Sequence, residues 1–275
     1  MTNLNTNNFE NAAKHKNYTV RCVEGERLAY YRCKAESAFW DTHWGKYVSQ
    51  KIYKNAEHGH LWQFEELFAS YLPKKGRILE AGCGLGQYVV SLKVRGYDIE
   101  GVDYAKSTIQ SVRSIYPDLP IRYADLTNMD VPDNYYLAYI SLGVAEHYKI
   151  GPQPILSEAF RVIASDGLAL ISVPFFNPLR RFKARMGIYR DQIDNLEFYQ
   201  YAFTKAEFSK ILREEGFKII DYMIYDYSKG IGDEIPFLRG IFKVRGVGWR
   251  LKLWIKSNEF GRNLGHMILF ICRKE

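Results

Sequence analysis

Two groups of residues in this sequence have the types and spacing for chemistry. The first is Glu80-Ala81-Gly82-Cys83-Gly84-Leu85-Gly86, an acid followed by three glycines at alternate positions. The second is Glu146-His147, a carboxyl beside an imidazole whose ordinary pKa suits proton transfer near neutral pH. Glycine lacks Cβ, so a turn built on it can take unusual dihedrals and let a ligand touch the backbone. Amides of the helix that begins near Gln87 would face that ligand. A nucleotide-like group at the edge of a parallel sheet is its natural occupant. A tight strand–helix turn without a ligand uses the same residues, so both readings stand on the glycines alone.

Bringing these groups together requires a particular frame. Ile78-Leu79 reads as a buried strand leading into the glycines, and Gly96 to Tyr104 reads as a second strand with Asp103 at its carboxyl end. Asp103 follows the glycines by roughly twenty residues, the spacing at which such folds place a carboxylate for ribose hydroxyls. A third strand ends at Asp125-Leu126, and a fourth, Leu137 to Leu142, opens into Gly143-Val144-Ala145-Glu146-His147. Leu168 to Pro174 is apolar on both faces, as a central parallel strand should be. Apolar residues spaced for helices separate the strands, and this βαβ rhythm predicts a doubly wound α/β sheet. An amphipathic helix through Leu61, Phe64, Leu67, Phe68, Tyr71 and Leu72 precedes the first strand. Thr204-Lys205-Ala206-Glu207 is a capping box that starts a late helix. Phe217 to Ile224 and His266 to Cys272 supply a sixth and a seventh strand.

With Glu80, Gly82, Gly84, Gly86, Asp103, Asp125 and Leu126 in place, residues 57–275 resemble class I S-adenosylmethionine-dependent methyltransferases. The likeness is to the small-molecule group that includes quinone-pathway and surface-glycan O-methyltransferases. It implies a Rossmann-like seven-stranded sheet of order 3-2-1-4-5-7-6 with the last strand antiparallel. S-adenosylmethionine is the implied cofactor, met by Glu80, Gly82, Cys83, Gly84, Gly86, Asp103, Tyr104, Asp125, Leu126 and Leu142. His147 and Glu146 are the implied catalytic pair, and Tyr199, Tyr201 and Phe203 the implied substrate wall. Independently of the family, Gln87 stands where the nicotinamide fingerprint wants glycine.

The acceptor class narrows by what is missing. Ser141-Leu142-Gly143-Val144 is not the Asp/Asn-Pro-Pro-aromatic motif of base-amine methylation, and no cysteine lies there for cytosine C5 chemistry. A small-molecule, sugar or lipid-linked acceptor remains, with O-methylation favoured. An N-methyltransferase of a small amine and a non-catalytic cofactor-binding module are the alternatives, ahead of a nicotinamide oxidoreductase. For a hydroxyl acceptor His147 is the candidate base, the one histidine this reading assigns to a strand end on that sheet edge. Glu146 and His147 lack a convincing third ligand for a divalent metal.

The 38 basic and 31 acidic residues leave a net charge of +7, a modest excess that favours a solvated basic surface over nucleic-acid binding. Cys22, Cys33, Cys83 and Cys272 have neither metal spacing nor a disulfide framework, so a reduced, cytoplasmic setting is expected. No apolar run of about eighteen residues is present to cross a membrane. Residues 1–17 read as a disordered polar tail. Residues 18–56, centred on Phe39-Trp40-Asp41-Thr42-His43-Trp44, read as a helical cap over the cofactor mouth. Residues 175–203 and 228–262 are insertions expected to cover the substrate. Basic and bulky apolar residues alternate through 237–256, which suits either a packed lid or peripheral membrane contact.

Overall fold

Strand pairing begins outside the main sheet. The hairpin β1 (Val20–Glu24) and β2 (Arg27–Arg32) is followed by the helices α1 (Gln50–Tyr53) and α2 (Glu65–Tyr71). The parallel half then alternates as β3 (Arg77–Ala81), α3 (Gln87–Val94), β4 (Asp98–Asp103), α4 (Lys106–Ile115), β5 (Ile121–Tyr123) and β6 (Tyr136–Leu142). Next come α5 (Gln153–Val162), β7 (Ile163–Pro174), α6 (Pro178–Arg185), β8 (Glu197–Ala202), α7 (Lys205–Glu214) and β9 (Phe217–Tyr225). Three helices, α8 (Tyr227–Glu234), α9 (Pro236–Ile241) and α10 (Val247–Ser257), lead to β10 (Met267–Lys274). This computed structural model describes residues 19–32, 50–189 and 196–275 apart from positions 243, 245, 259, 260 and 262. The polar tail and the aromatic run at 39–44 lie outside the described residues.

The main sheet has seven strands in the order β5-β4-β3-β6-β7-β10-β9, the order the family resemblance implies. Side chains alternate across it, so two apolar layers form. Ile78, Ile99, Ile140 and Leu269 pack with Phe64, Phe68, Val89 and Val112 on one face. Leu79, Tyr139, Ile171 and Phe270 pack with Leu156, Val162, Phe208 and Leu212 on the other. With both faces covered, strands such as β7 are apolar throughout their carboxyl halves. Thr204 caps α7 by accepting from the Glu207 amide at 3.1 Å, as the capping box predicts.

Two departures from the sequence reading and one expected feature matter for the site. First, residues 20–32 form a β-hairpin where helices were expected, and β8 from the first insertion joins it as β1-β2-β8. Long-range strand pairing of this kind leaves no local period to read. Second, β7 already pairs at Ile163 with Tyr136, resuming at Leu168 with Ala138. The strand expected to start at Leu168 thus begins earlier and carries an irregularity at Asp166-Gly167, with Asp166 at φ 61°. As the family resemblance implies, β10 runs antiparallel to β7, and its first residues therefore meet the edge where the parallel strands end. The carbonyl of His266 accepts from the Phe175 amide there at 2.8 Å.

Candidate active site

The glycine loop is held by the sheet it leaves. Gly82, Gly84 and Gly86 take φ of 77°, 50° and 67°, a region that strains other residues. A Cβ on Gly82 would collide with the Val144 side chain, so this position admits only glycine. The Gly82 and Cys83 amides donate to the Val102 carbonyl at 2.8 and 3.0 Å, and the Gly86 amide to the Cys83 carbonyl at 2.8 Å. Asp103 completes the arrangement, accepting from Gly84 at 2.8 Å through one carboxylate oxygen and from Ala105 at 2.9 Å through the other. The Gly82, Cys83, Gly84 and Gly86 amides therefore have protein acceptors, and Asp103 is a brace for the loop as well as an acid at a strand end.

Glu80 lies buried beneath this loop. The Val89 amide donates to its carboxyl, yet its Oε2 has no partner. Burial pushes the carboxyl up to about 8 and the nearby Asp103 charge adds to the rise. Burial also holds the Cys83 thiol well above its usual range, so it is a packing residue there. From the described part of the expected cap, Tyr53 donates to the Leu85 carbonyl at 2.7 Å, and Gln87 Nε2 to Ile52 at 3.1 Å. Tyr104 and Asp125 are exposed, Leu142 is half-buried, and the Leu126 side chain belongs to the core. Asp125 Oδ1 accepts from both the amide and the hydroxyl of Thr127, at 2.9 and 2.8 Å.

The second group sits at the end of β6. Gly143, at φ 76°, turns the chain into a single helical turn that carries Glu146 and His147. His147 Nδ1 lies 2.7 Å from the Tyr199 carbonyl, which can only accept. The proton therefore resides on Nδ1 and Nε2 keeps its lone pair. Glu146 Oε1 is 3.9 Å from that Nε2, and Glu146 Oε2 has no partner. Burial pushes the Glu146 carboxyl up to about 8. It pushes the His147 imidazole down to about 4; the Tyr199 carbonyl opposes this and the Arg32 charge reinforces it. At neutral pH the two are an uncharged pair rather than an ion pair, and the near-neutral titration expected for His147 is corrected accordingly.

A cavity of about 660 Å³ opens beside them, lined among others by Gly143, Glu146, His147, Tyr199 and His266. His266 corrects the expectation that His147 stands alone, because the antiparallel β10 delivers its start to the same edge. Its Nδ1 is 2.7 Å from Arg180, a donor, so the proton sits on Nε2 and the ring offers the cavity an N–H. Arg180 and Glu234 behind it are buried and 3.1 Å apart, and Glu234 also meets Arg21 at 2.7 Å and Lys183 at 2.9 Å. This network was not read from the sequence, where its members are dispersed. The place of β10 in the sheet order was the available signal for His266.

Tyr199 lines the cavity; Tyr201 and Phe203 do not. Tyr201 is buried with its hydroxyl donating to the Lys149 carbonyl at 3.1 Å, and Phe203 packs 5.1 Å from the Phe208 ring. The cause is a bulge. β2 pairs Tyr30 with Gln200 but Tyr31 with Phe198, so Tyr199 is the extra residue and is turned away from its neighbours.

Comparison with known proteins agrees with this construction. A methyltransferase domain family model matches residues 79–171, from β3 into β7. A probable S-adenosylmethionine-dependent methyltransferase of Mycolicibacterium smegmatis is 30% identical over 156 residues, 57% of each chain. A ubiquinone biosynthesis O-methyltransferase of Rickettsia typhi is 34% identical over 102 residues, 36% of this chain and 41% of the relative. The chain therefore spans little more than half the length of the first relative and less of the second. A SAM-dependent methyltransferase of Methanosarcina mazei shares the fold with a TM-score of 0.54 at 16% identity, over 76% of this chain and 96% of that one. By its glycine loop, its sheet order and these matches, the chain is similar to class I S-adenosylmethionine-dependent methyltransferases, with the methyltransferase domain itself matched over residues 79–171.

Proposed function

We propose that the protein methylates a hydroxyl of a small-molecule, sugar or lipid-linked acceptor, with His147 as general base. The observation that carries this reading is the fixed tautomer of His147, whose Nε2 lone pair adjoins a cavity while Tyr199 holds Nδ1–H. The printed name of the Rickettsia relative supports a hydroxyl acceptor. When bound, S-adenosylmethionine supplies an electrophilic methyl group on a sulfonium sulfur. Glu80, Gly82, Cys83, Gly84 and Gly86 would hold its methionine side, Asp103 and Tyr104 its ribose, and Asp125, Leu126 and Leu142 its adenine surroundings. The buried Glu80 Oε2 without a partner and the left-handed glycines fit such a group. His147 Nε2 accepts the acceptor's proton, and the Tyr199 carbonyl steadies the charge that then spreads to Nδ1–H. Glu146, neutral beside it, can pass its own proton outward as the imidazole becomes charged, which leaves the pair as carboxylate and imidazolium with no net charge.

Titration with S-adenosylhomocysteine and, separately, NAD tests the cofactor assignment. Binding of the first alone is expected; binding of NAD alone would sink it. A membrane-bound acceptor is a second reading, favoured by Phe237, Trp249, Leu253 and Trp254. These are exposed at 75%, 64%, 46% and 64%, near Arg239 and Arg250. Among the described residues no helix is long and apolar enough to cross a membrane, so contact would be peripheral. Salt-sensitive binding to anionic liposomes is the expected result; no binding at low salt leaves only a lid packed on its own chain.

A further inference from the structure

We propose that the cavity beside Glu146 and His147 recognises an anionic group on the acceptor, a carboxylate or a phosphate, through Arg32, Lys229 and Tyr30. The proposal rests on the methyltransferase reading of the site and names its substrate class. The cavity wall carries Arg21, Arg32, Arg180, Lys229 and Arg239 against only Glu146 and Asp233 as acids. Three of these cations already have carboxylate partners. Arg21 and Arg180 meet Glu234 at 2.7 and 3.1 Å, and Arg239 meets Asp233 at 2.7 Å. Arg32 and Lys229 have no carboxylate within 4.0 Å among the described residues.

Arg32 is nevertheless fixed. Its Nε donates to Thr19 Oγ1 at 3.1 Å and its guanidinium lies 3.7 Å from the centre of the Tyr199 ring. Those contacts orient the group without cancelling its charge. A second, independent sign is Tyr30 on the same wall. It is 8% exposed and its hydroxyl has no hydrogen-bond partner, as is also true of Glu146 Oε2. Buried hydroxyls without partners are rare in folded proteins, and this one is a donor on the cavity wall that also carries Arg32 and Lys229. A guanidinium fork, an ammonium and a phenol O–H together present donors alone, the complement of a carboxylate or phosphate. Neutral acceptors would leave all three unanswered.

Pairing Arg32 has a consequence for the base. Arg32 is one of the groups that hold the His147 imidazole low. An anion that neutralises Arg32 would lift His147 and make it a better proton acceptor only when the acceptor is in place. Recognition and activation would then be coupled through one guanidinium.

The full chain, saturated with S-adenosylhomocysteine, is titrated by calorimetry with inorganic phosphate, with benzoate and with neutral benzyl alcohol. One equivalent of phosphate or benzoate should bind, more weakly as salt is added, and benzyl alcohol about tenfold less tightly than the better anion. Which anion binds better separates the phosphate from the carboxylate class. Arg32→Gln and Lys229→Gln should each weaken anion binding about tenfold, and Tyr30→Phe about threefold, with S-adenosylhomocysteine affinity unchanged. Lys229 is exposed, so its variant keeps the test usable if the Arg32 variant does not fold. No heat from either anion at roughly ten times a millimolar Kd, or undiminished binding in the Lys229 variant, overturns the proposal. Loss of S-adenosylhomocysteine binding by the unaltered protein would instead overturn the methyltransferase reading.

Discussion

The two halves of the sheet edge are built on opposite principles. Around β3 and β4 the loop is contiguous in sequence and its amides are met within the protein, with Asp103 tying Gly84 to Ala105, while Glu80 Oε2 beneath it is left without a partner. Around β6 and β10 the groups come from six separate segments, and on the cavity wall the buried Tyr30 Oη and Glu146 Oε2 remain without partners. The first half carries the acids Glu80 and Asp103; the second carries Arg32 and Lys229. A preorganised, internally bonded loop suits a group common to many enzymes, whereas unanswered polarity suits a particular acceptor. Changes in the first half should therefore show as stability together with cofactor affinity, and changes in the second as chemistry and specificity.

The largest test of that contrast is His147→Ala. Turnover should fall by about 10²–10⁴ while S-adenosylhomocysteine affinity stays within twofold, measured by initial rates and calorimetry on the same preparation. In the unaltered protein, rate should decline as pH falls through about 4, where His147 takes up a proton. A limb near neutral pH, or full activity in the variant, removes His147 from the role.

Next in size is the buried network behind the acceptor cavity. Arg180→Met should destabilise the fold by about 3 kcal/mol, because Glu234 and His266 each lose a partner in a site closed to water. Urea unfolding reads this directly, and a loss under 1 kcal/mol would mean Arg21 and Lys183 suffice for Glu234.

Asp103→Ala sharpens the comparison from the other side. It leaves the Gly84 amide without its acceptor, so stability should drop by about 1–3 kcal/mol even without ligand. If only ligand affinity changes, the brace seen in the structure contributes nothing and the two halves are less different than they look.

The smallest effect concerns Glu146. Its folded pKa of about 8 lies above the ordinary 4.5, so the folded state binds the extra proton between those values. Stability relative to Glu146→Gln should fall as pH rises from 4.5 through 8 and level off above. Thermal melts of both proteins across that range check the sign; a constant gap would mean the carboxyl is ionised throughout.

Much of the cofactor half was legible in the sequence because its determinants are local. Three glycines, an acid before them and another about twenty residues on fall within one βαβ unit, whose period and turn chemistry are short-range properties. The strands were legible in the alternation of strands and helices, while their order was implied by the family resemblance, and all seven strands pair in that order. His147 was picked out by its place after a strand, although its lowered pKa was not, since both its burial and the nearby Arg32 charge depend on chain from elsewhere.

What only the tertiary structure decided is the acceptor half. Residues 20–32 carry no sign that they will pair with residues 197–202, because strand partners are chosen by long-range packing rather than by the strand itself. That pairing brings Tyr30 and Arg32 to the cavity, and its bulge separates Tyr199 from Tyr201. His266 stands at the site because β10 runs against its neighbours, a direction no local pattern encodes. The sequence alone determined the elements and the loop between β3 and α3, where each residue acts on its near neighbours. The burial, charge and hydrogen-bond partners of the acceptor site were decided by segments that meet only once the chain has folded.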